Sequence, residues 1–242
     1  MGANQRKRPL DEVASDADRR HFMKSQLAAG FAIALEPGLM MAHGMPRNRI
    51  RAVRKITKAQ PKTEGAGVHL PLAYGFGETE PFDPCLLFDD FRNDDPRRYR
   101  KGFPWHPHRG IETITYVLAG TVDHADNLGN KGTVGAGDVQ WMTAGSGILH
   151  QEMPRGDSAG RMHGFQLWSN LPASHKMTRP RYQDVENGNI PIVVDDDGTS
   201  ARIVCGDFWG QRGPVNGIAS QPRFLDISLP PATRRSIPVE TT

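Results

Sequence analysis

Residues Gly102–Glu112 read GFPWHPHRGIE, and residues Gly145–Pro154 read GSGILHQEMP. Each segment holds two potential metal ligands separated by one residue. These ligands are His106 and His108 in the first segment and His150 and Glu152 in the second. In a β-strand, side chains at i and i+2 point to the same face, so each pair presents two donor atoms to one side of a sheet. If the two strands are neighbours, we expect all four ligands to converge.

Three imidazoles and one carboxylate suit a divalent first-row transition metal, and Fe(II) and Zn are the leading candidates by ligand type. A six-coordinate ion held by four protein ligands keeps open positions, which oxygen activation or Lewis-acid catalysis requires. The alternative is structural. The chain has nine histidines, so one such pair could arise by chance and serve as a solvated or hydrogen-bonded group.

The sequence between and around the two ligand pairs predicts short strands joined by turns. Residues Glu112–Leu118 and Val139–Met142 are rich in β-branched or aromatic side chains, whereas Gly120, Asn127–Asn130 and Gly145–Gly147 mark turns. No long helical period lies between them. We therefore predict an all-β fold, in the form of a small closed barrel or sandwich.

Three segments together resemble the pirin family of the cupin superfamily: HPHRGIETITYVLAGTVDHAD, GDVQWMTAGSGILHQEMP and, upstream, FDPCLLFDDF. The resemblance extends roughly from Arg49 to Tyr182. It implies a cupin barrel, also called a double-stranded β-helix or jelly roll. It also implies that the metal is iron, bound by three histidines and one glutamate at His106, His108, His150 and Glu152. Glu112 stands where many other cupins supply their carboxylate ligand, and the pirin pattern instead implies a place on the surface or beside the ligands.

The resemblance also suggests a domain organisation. We expect an N-terminal extension at residues 1–45, a pirin cupin barrel at 46–185, and a linker with the start of a second cupin-like domain at 186–242. Phe224–Leu229 resembles the opening strand of that second barrel, and the sequence ends at Thr242. We therefore expect an incomplete, truncated bicupin. Its C-terminal strands would either pack against the first barrel or lie loose, because a partial sheet leaves an edge uncovered.

The first 45 residues contain a segment that resembles a twin-arginine export signal. Arg19 and Arg20 precede Phe22, Lys24 and the short apolar stretch Leu27–Leu35. Nine apolar residues are too few to span a bilayer, so we expect no stable membrane anchor. Export to the periplasm is one interpretation. The other is a cytoplasmic protein whose extension is amphipathic or lies upstream of a later start.

Charge and cysteine content favour no further function. The net charge is only +3, and the basic run Arg97–Lys101 is preceded by four aspartates within ten residues of it, so we expect no direct nucleic-acid binding. Cys85 and Cys205 are far apart and lack metal-type spacing. We expect both to be small apolar packing residues.

The resemblance to the pirin family implies two classes of function. The first is an oxidoreductase resembling quercetin 2,3-dioxygenase, which opens a flavonol ring with molecular oxygen and releases carbon monoxide. Here Glu152 would be a ligand or the catalytic base that takes the 3-hydroxyl proton. Phe103 and Trp105 are candidates to wall a pocket for a small aromatic substrate, and the alternative for either is a place in the barrel core. The second is a non-catalytic, redox-sensitive iron-binding regulator of a protein partner. A purely structural metal is disfavoured because closed structural sites favour thiolates.

Overall fold

The computed structural model describes residues 52–238 with the exception of Arg54. The predicted extension at 1–45, with its export-like segment, lies outside these residues. Within them the chain forms β1 (Gln60–Glu64), β2 (Val68–Tyr74), β3 (Cys85–Asp90), β4 (Phe103–His108), β5 (Ile111–Ala119), β6 (Thr121–Asp126), β7 (Lys131–Val134), β8 (Val139–Thr143), β9 (Ile148–Arg155), β10 (His163–Asn170), β11 (Arg181–Val185), β12 (Ile192–Val194), β13 (Ser200–Cys205), β14 (Asp207–Phe208), β15 (Gln211–Arg212) and β16 (Phe224–Ser228).

The helices among these residues are short 3-10 turns. They are Glu80–Phe82, Pro96–Arg98, Ala173–His175 and Asn187–Asn189. None of the helices in the described part of the chain is long and apolar enough to cross a membrane.

Two antiparallel sheets enclose the main core. The larger has the order β1-β2-β3-β10-β5-β8-β11, and the smaller has the order β4-β9-β6-β7. Apolar side chains of both sheets meet between them, including Val117 of β5 with Val122 of β6, and Met142 of β8 with Ile148 of β9. The candidate ligand pairs of β4 and β9 therefore lie on the smaller sheet of the barrel.

The outer face of the larger sheet is also covered. Ile114 and Trp141 pack there against Ile190, Val204 and Val215 from the chain beyond β11. This second layer explains why all five residues of β8 are buried, whereas β6 of the smaller sheet alternates between buried and half-buried positions. Of the two arrangements that the sequence left open, the C-terminal strands have the packed one.

Polar contacts fix the C-terminal segment in place. It forms a three-stranded antiparallel sheet of order β12-β13-β16 and the small pair β14-β15. The Tyr116 hydroxyl donates to Oδ2 of Asp226 at 2.6 Å, and Nη2 of Arg202 donates to the carbonyl oxygen of Gly137 at 2.9 Å. The segment thus stabilises the outer face of the strands that line the barrel.

The turn before β9 depends on a glycine. Gly145 has a φ of +51°, and a Cβ atom there would collide with the carbonyl oxygen of Thr178. We expect Gly145→Ala to lower the free energy of unfolding by about 2–4 kcal/mol, because it combines left-handed backbone strain with a clash against main chain. Chemical denaturation of the metal-free protein measures this change.

Gly129→Ala is the matched control. Gly129 has a φ of +90°, but a Cβ atom there would meet no atom within 4 Å. We expect a cost of about 1 kcal/mol from backbone strain alone. Equal costs at the two positions would show that the Thr178 contact does not constrain this turn.

Candidate metal centre and cavity

The pairing of β4 with β9 turns both ligand pairs toward the barrel interior. His106 lies opposite His150, and Phe103 lies opposite Glu152. Three residues of β4 therefore span the same distance as two residues of β9, which is the signature of a β-bulge. Because of this extra residue, Phe103 and His106 can both face the interior although they are an odd number of residues apart.

Three of the four predicted ligands come together. One nitrogen from each of His106, His108 and His150 lies within 4.8 Å of the others. The ring centroids are 4.4–4.9 Å apart, and Nε2 of His106 is 3.1 Å from Nε2 of His108. Such a cluster can hold a divalent transition metal.

The proton on His106 is fixed by the backbone. Its Nδ1 lies 2.8 Å from the carbonyl oxygen of Pro104, which can only accept a hydrogen bond. In the neutral form of the ring, the proton therefore lies on Nδ1 and the lone pair is on Nε2, the nitrogen that faces His108. This is the arrangement that orients metal-binding histidines in proteins.

Burial keeps the other two rings neutral. It lowers the pKa of His108 to about 4, with further lowering from His150 and His106. Burial also lowers the pKa of His150 to about 3, with His106 and His124 contributing in the same direction. Neutral imidazole is the form that binds a metal, so both rings are available for coordination at neutral pH.

The ring nitrogens of His150 lack partners that a cation could supply. His150 is only 1% exposed, and neither of its ring nitrogens has a hydrogen-bond partner among the described residues. A buried polar atom without a partner costs free energy, and native proteins rarely leave one unsatisfied. A metal ion bound by the three imidazoles would satisfy His150, so the residues present fit a divalent metal.

The fourth predicted ligand, Glu152, stands apart from the imidazole cluster. Its two carboxylate oxygens lie 3.2 and 3.3 Å from Nε2 of Gln166, which donates to them. The Thr115 hydroxyl is 3.3 Å from Glu152 but 2.7 Å from Oε1 of Gln166. A hydroxyl has one proton, and the shorter bond to Gln166 takes it. Thr115 and Gln166 thus hold the Glu152 carboxylate beside the cluster.

Glu112 faces the opposite side of the larger sheet. Its carboxylate accepts a hydrogen bond from the Thr143 hydroxyl at 2.7 Å, and its side chain is buried near Cys205 of the C-terminal segment. A surface position is therefore wrong for this residue, because the C-terminal segment covers that face. Glu112 contributes to the packing behind the barrel and not to the imidazole cluster.

A cavity of about 270 Å³ opens beside the cluster. His106, His108 and Glu152 line one part of it, and the remaining wall is largely apolar and includes Phe103 and Trp168. Trp105, the other aromatic residue proposed from the sequence, is not among the lining residues, and its side chain is 50% exposed. It alternates with His106 along β4 and faces outward.

The lining residues that the sequence did not point to include Asp89, Gln166 and Trp168. Asp89 lies opposite Gln166 across the β3–β10 pair. The alternation of side chains along β3 could have pointed to Asp89. Leu87 and Asp89 share the inner face of this strand, and a carboxylate is unusual on the inner face of a core strand. Trp168 makes an edge contact with His108, with ring centroids 4.9 Å apart.

Known proteins resemble this chain in sequence and in fold. Residues 68–169 match the family model described as Pirin. A pirin-like protein of Caulobacter vibrioides is 47% identical over 191 residues, or 78% of this chain. The crystal structure of a quercetin 2,3-dioxygenase from Acinetobacter baumannii aligns with a TM-score of 0.59 and 33% identity over 67% of this chain. A Geobacillus kaustophilus crystal structure aligns with a TM-score of 0.60 and 36% identity over 69% of it.

These matches cover only part of each relative. The chain spans 69% of the Caulobacter protein, 59% of the Acinetobacter chain and 64% of the Geobacillus chain. The all-β cupin fold expected from the sequence is confirmed by these neighbours together with the antiparallel sheets.

Proposed function

Because this chain belongs to the pirin family, which has the cupin fold, we propose that it is a metal-dependent oxygenase of the quercetin 2,3-dioxygenase type. The observation that supports this most directly is the cluster of three imidazoles at the wall of an apolar cavity, with the Glu152 carboxylate beside it. A mostly apolar cavity in which a few polar groups converge is typical of a small-molecule site.

The proposed metal ligands are His106, His108 and His150, with Glu152 either joining them or acting as a base. The proposed metal is Fe(II), and the ligand set also accepts Zn or another divalent transition metal. Bound there, a redox-active metal would supply Lewis acidity and a route to oxygen activation. The chemistry expected of the substrate is the opening of a flavonol ring by molecular oxygen with release of carbon monoxide.

The chain's own residues would bind and orient the substrate. Phe103 and Trp168 present aromatic surface to the cavity, on which a flat substrate can stack. Glu152 would take the proton of the substrate's 3-hydroxyl, while Gln166 holds the carboxylate toward that proton. Holding the substrate in place removes the entropy cost of its encounter with oxygen.

The test is anaerobic loading followed by oxygen. We expect protein with one Fe(II) per chain, mixed with quercetin and then exposed to oxygen, to lose the flavonol absorbance and release carbon monoxide. Protein stripped with a chelator is the control for quercetin loss without metal. The same protein loaded with redox-inactive Zn(II) is the control for binding without turnover. If iron-loaded protein turns over no quercetin, the oxygenase assignment is wrong, whether or not the protein binds quercetin. A non-catalytic, redox-sensitive iron-binding regulator of a protein partner would then be the better proposal.

A further inference from the structure

The cavity wall contains a buried carboxyl oxygen without a hydrogen-bond partner. Asp89 of β3 is 6% exposed, and its Oδ1 is buried with no hydrogen-bond partner among the described residues. Lys62 of β1, whose charge acts on Asp89, pairs instead with Glu64 at 2.6 Å. No lysine or arginine in the described part of the chain forms an ion pair with Asp89.

Such a group is costly for the fold. Burial raises the pKa of Asp89 to about 7, and the neighbouring carboxylate of Glu64 raises it further, with Lys62 acting in the opposite direction. A buried carboxyl group that lacks a partner destabilises a protein, and apolar residues of similar size at such positions are often neutral or stabilising. Packing therefore does not explain this residue, and a role in function is the remaining explanation.

The position of Asp89 relates it to the proposed metal centre. Across the larger sheet, Asp89 pairs with Gln166 of β10, and Gln166 pairs with Thr115 of β5. Gln166 contacts Glu152, so Asp89 lies one strand farther from the imidazole cluster than the residue that holds Glu152. Neighbouring strands are about 4.8 Å apart, which places Asp89 beyond the atoms that would bind the metal but within the reach of a two-ring ligand.

We propose that Asp89 accepts a hydrogen bond from a hydroxyl group of the substrate that is remote from its metal-binding oxygen atoms, so that this cavity selects polyhydroxylated aromatic molecules. This inference rests on the proposed function of the same site. Leu87 and Phe91 line the cavity near Asp89, and the two polar neighbours there have other partners: Glu64 pairs with Lys62, and Gln166 bonds to Glu152. A ligand without that hydroxyl therefore leaves Oδ1 of Asp89 unsatisfied. A site built around such a hydrogen bond discriminates strongly against analogues that lack the donor.

The experiment compares two flavonols that share the metal-binding oxygen pair. Quercetin has further hydroxyl groups on its other rings, whereas 3-hydroxyflavone has none. Zn(II)-loaded protein prevents turnover, and titration calorimetry under anaerobic conditions at pH 8 measures both affinities. We expect the wild-type protein to bind quercetin at least about tenfold more tightly, because a hydrogen bond to a buried charged group is among the stronger ones.

Two variants at position 89 and one neighbour test the assignment. In Asp89→Leu we expect the preference to disappear through weaker quercetin binding, while the melting temperature of the ligand-free protein stays the same or rises. Asp89→Asn keeps the shape and one acceptor, and we expect it to retain part of the preference. Asp90→Asn is the matched control, because Asp90 pairs with Arg92 outside the cavity, and its preference should equal that of the wild type.

The outcomes separate this inference from the proposed function. If both flavonols bind wild-type protein equally well, or if Asp89→Leu keeps the preference, the role of Asp89 is wrong and the oxygenase proposal stands. A large loss of thermal stability in both Asp89 variants would show that Asp89 is structural, which also overturns the inference. If neither flavonol binds metal-loaded wild-type protein, the flavonol proposal fails and the Asp89 subsite fails with it.

Discussion

His150→Ala is expected to release the metal from this chain, with an affinity about a hundredfold or more below that of the wild type. Removing a partner of a ligand already costs up to about a hundredfold in metal affinity, and the loss of a ligand itself should cost no less. The variant should still fold, because the two ring nitrogens of His150 are buried without hydrogen-bond partners and so do not stabilise the metal-free protein. Metal analysis and competition with a chelator of known affinity measure the change.

His124→Ala is the control for this prediction. His124 is a buried histidine on β6, and that strand is paired with β9, which carries His150. Its ring stacks on Tyr182 and does not belong to the imidazole cluster. The control should therefore retain one metal per chain. Equal metal content in the His150→Ala and wild-type proteins would contradict the assignment of His150 as a ligand.

The alternation of the ligand pairs was predictable because it is local. A strand places residues two apart on one face, so His106 and His108 were expected to point the same way, as were His150 and Glu152. What the sequence left conditional was whether β4 and β9 are neighbours. Some forty residues separate them, and their pairing follows from the order of the whole smaller sheet.

The aromatic wall shows where local reasoning is insufficient. Phe103 and Trp105 are both an odd number of residues from His106, so a regular strand would place both on the face opposite to it. Only Phe103 lines the cavity. The difference is the bulge between Phe103 and His106, where one strand has an extra residue relative to its partner. Pro104 lies in that bulge, but a proline in a strand indicates an edge strand equally well, and β4 is one. The tryptophan that does line the cavity, Trp168, lies on a distant strand.

The residues around Glu152 were hidden for a different reason. Thr115 and Gln166 are 51 positions apart, and each occupies an ordinary position in an alternating strand. A polar residue in such a strand is usually assigned to the solvent face. In this fold both faces of the larger sheet are covered, by the smaller sheet and by the C-terminal segment, so inward polar residues cannot be recognised from alternation alone.

Glu152→Gln is expected to separate metal binding from chemistry. The glutamine keeps the shape of the side chain but cannot take a proton, and general-base catalysis is worth about a hundredfold to ten-thousandfold in rate. We expect the variant to retain one metal per chain at saturating metal, because the three imidazoles are unchanged. Its rate of oxygen-dependent quercetin consumption should fall about a hundredfold or more. Single-turnover assays on metal-loaded protein measure this rate.

Glu112→Gln is the matched control, since Glu112 is also a buried glutamate of the barrel wall and hydrogen-bonds to Thr143 on the face away from the cavity. Its rate should equal that of the wild type. If Glu152→Gln turned over quercetin at the wild-type rate, Glu152 would not be the base. If instead it lost the metal, Glu152 would be needed as the fourth ligand.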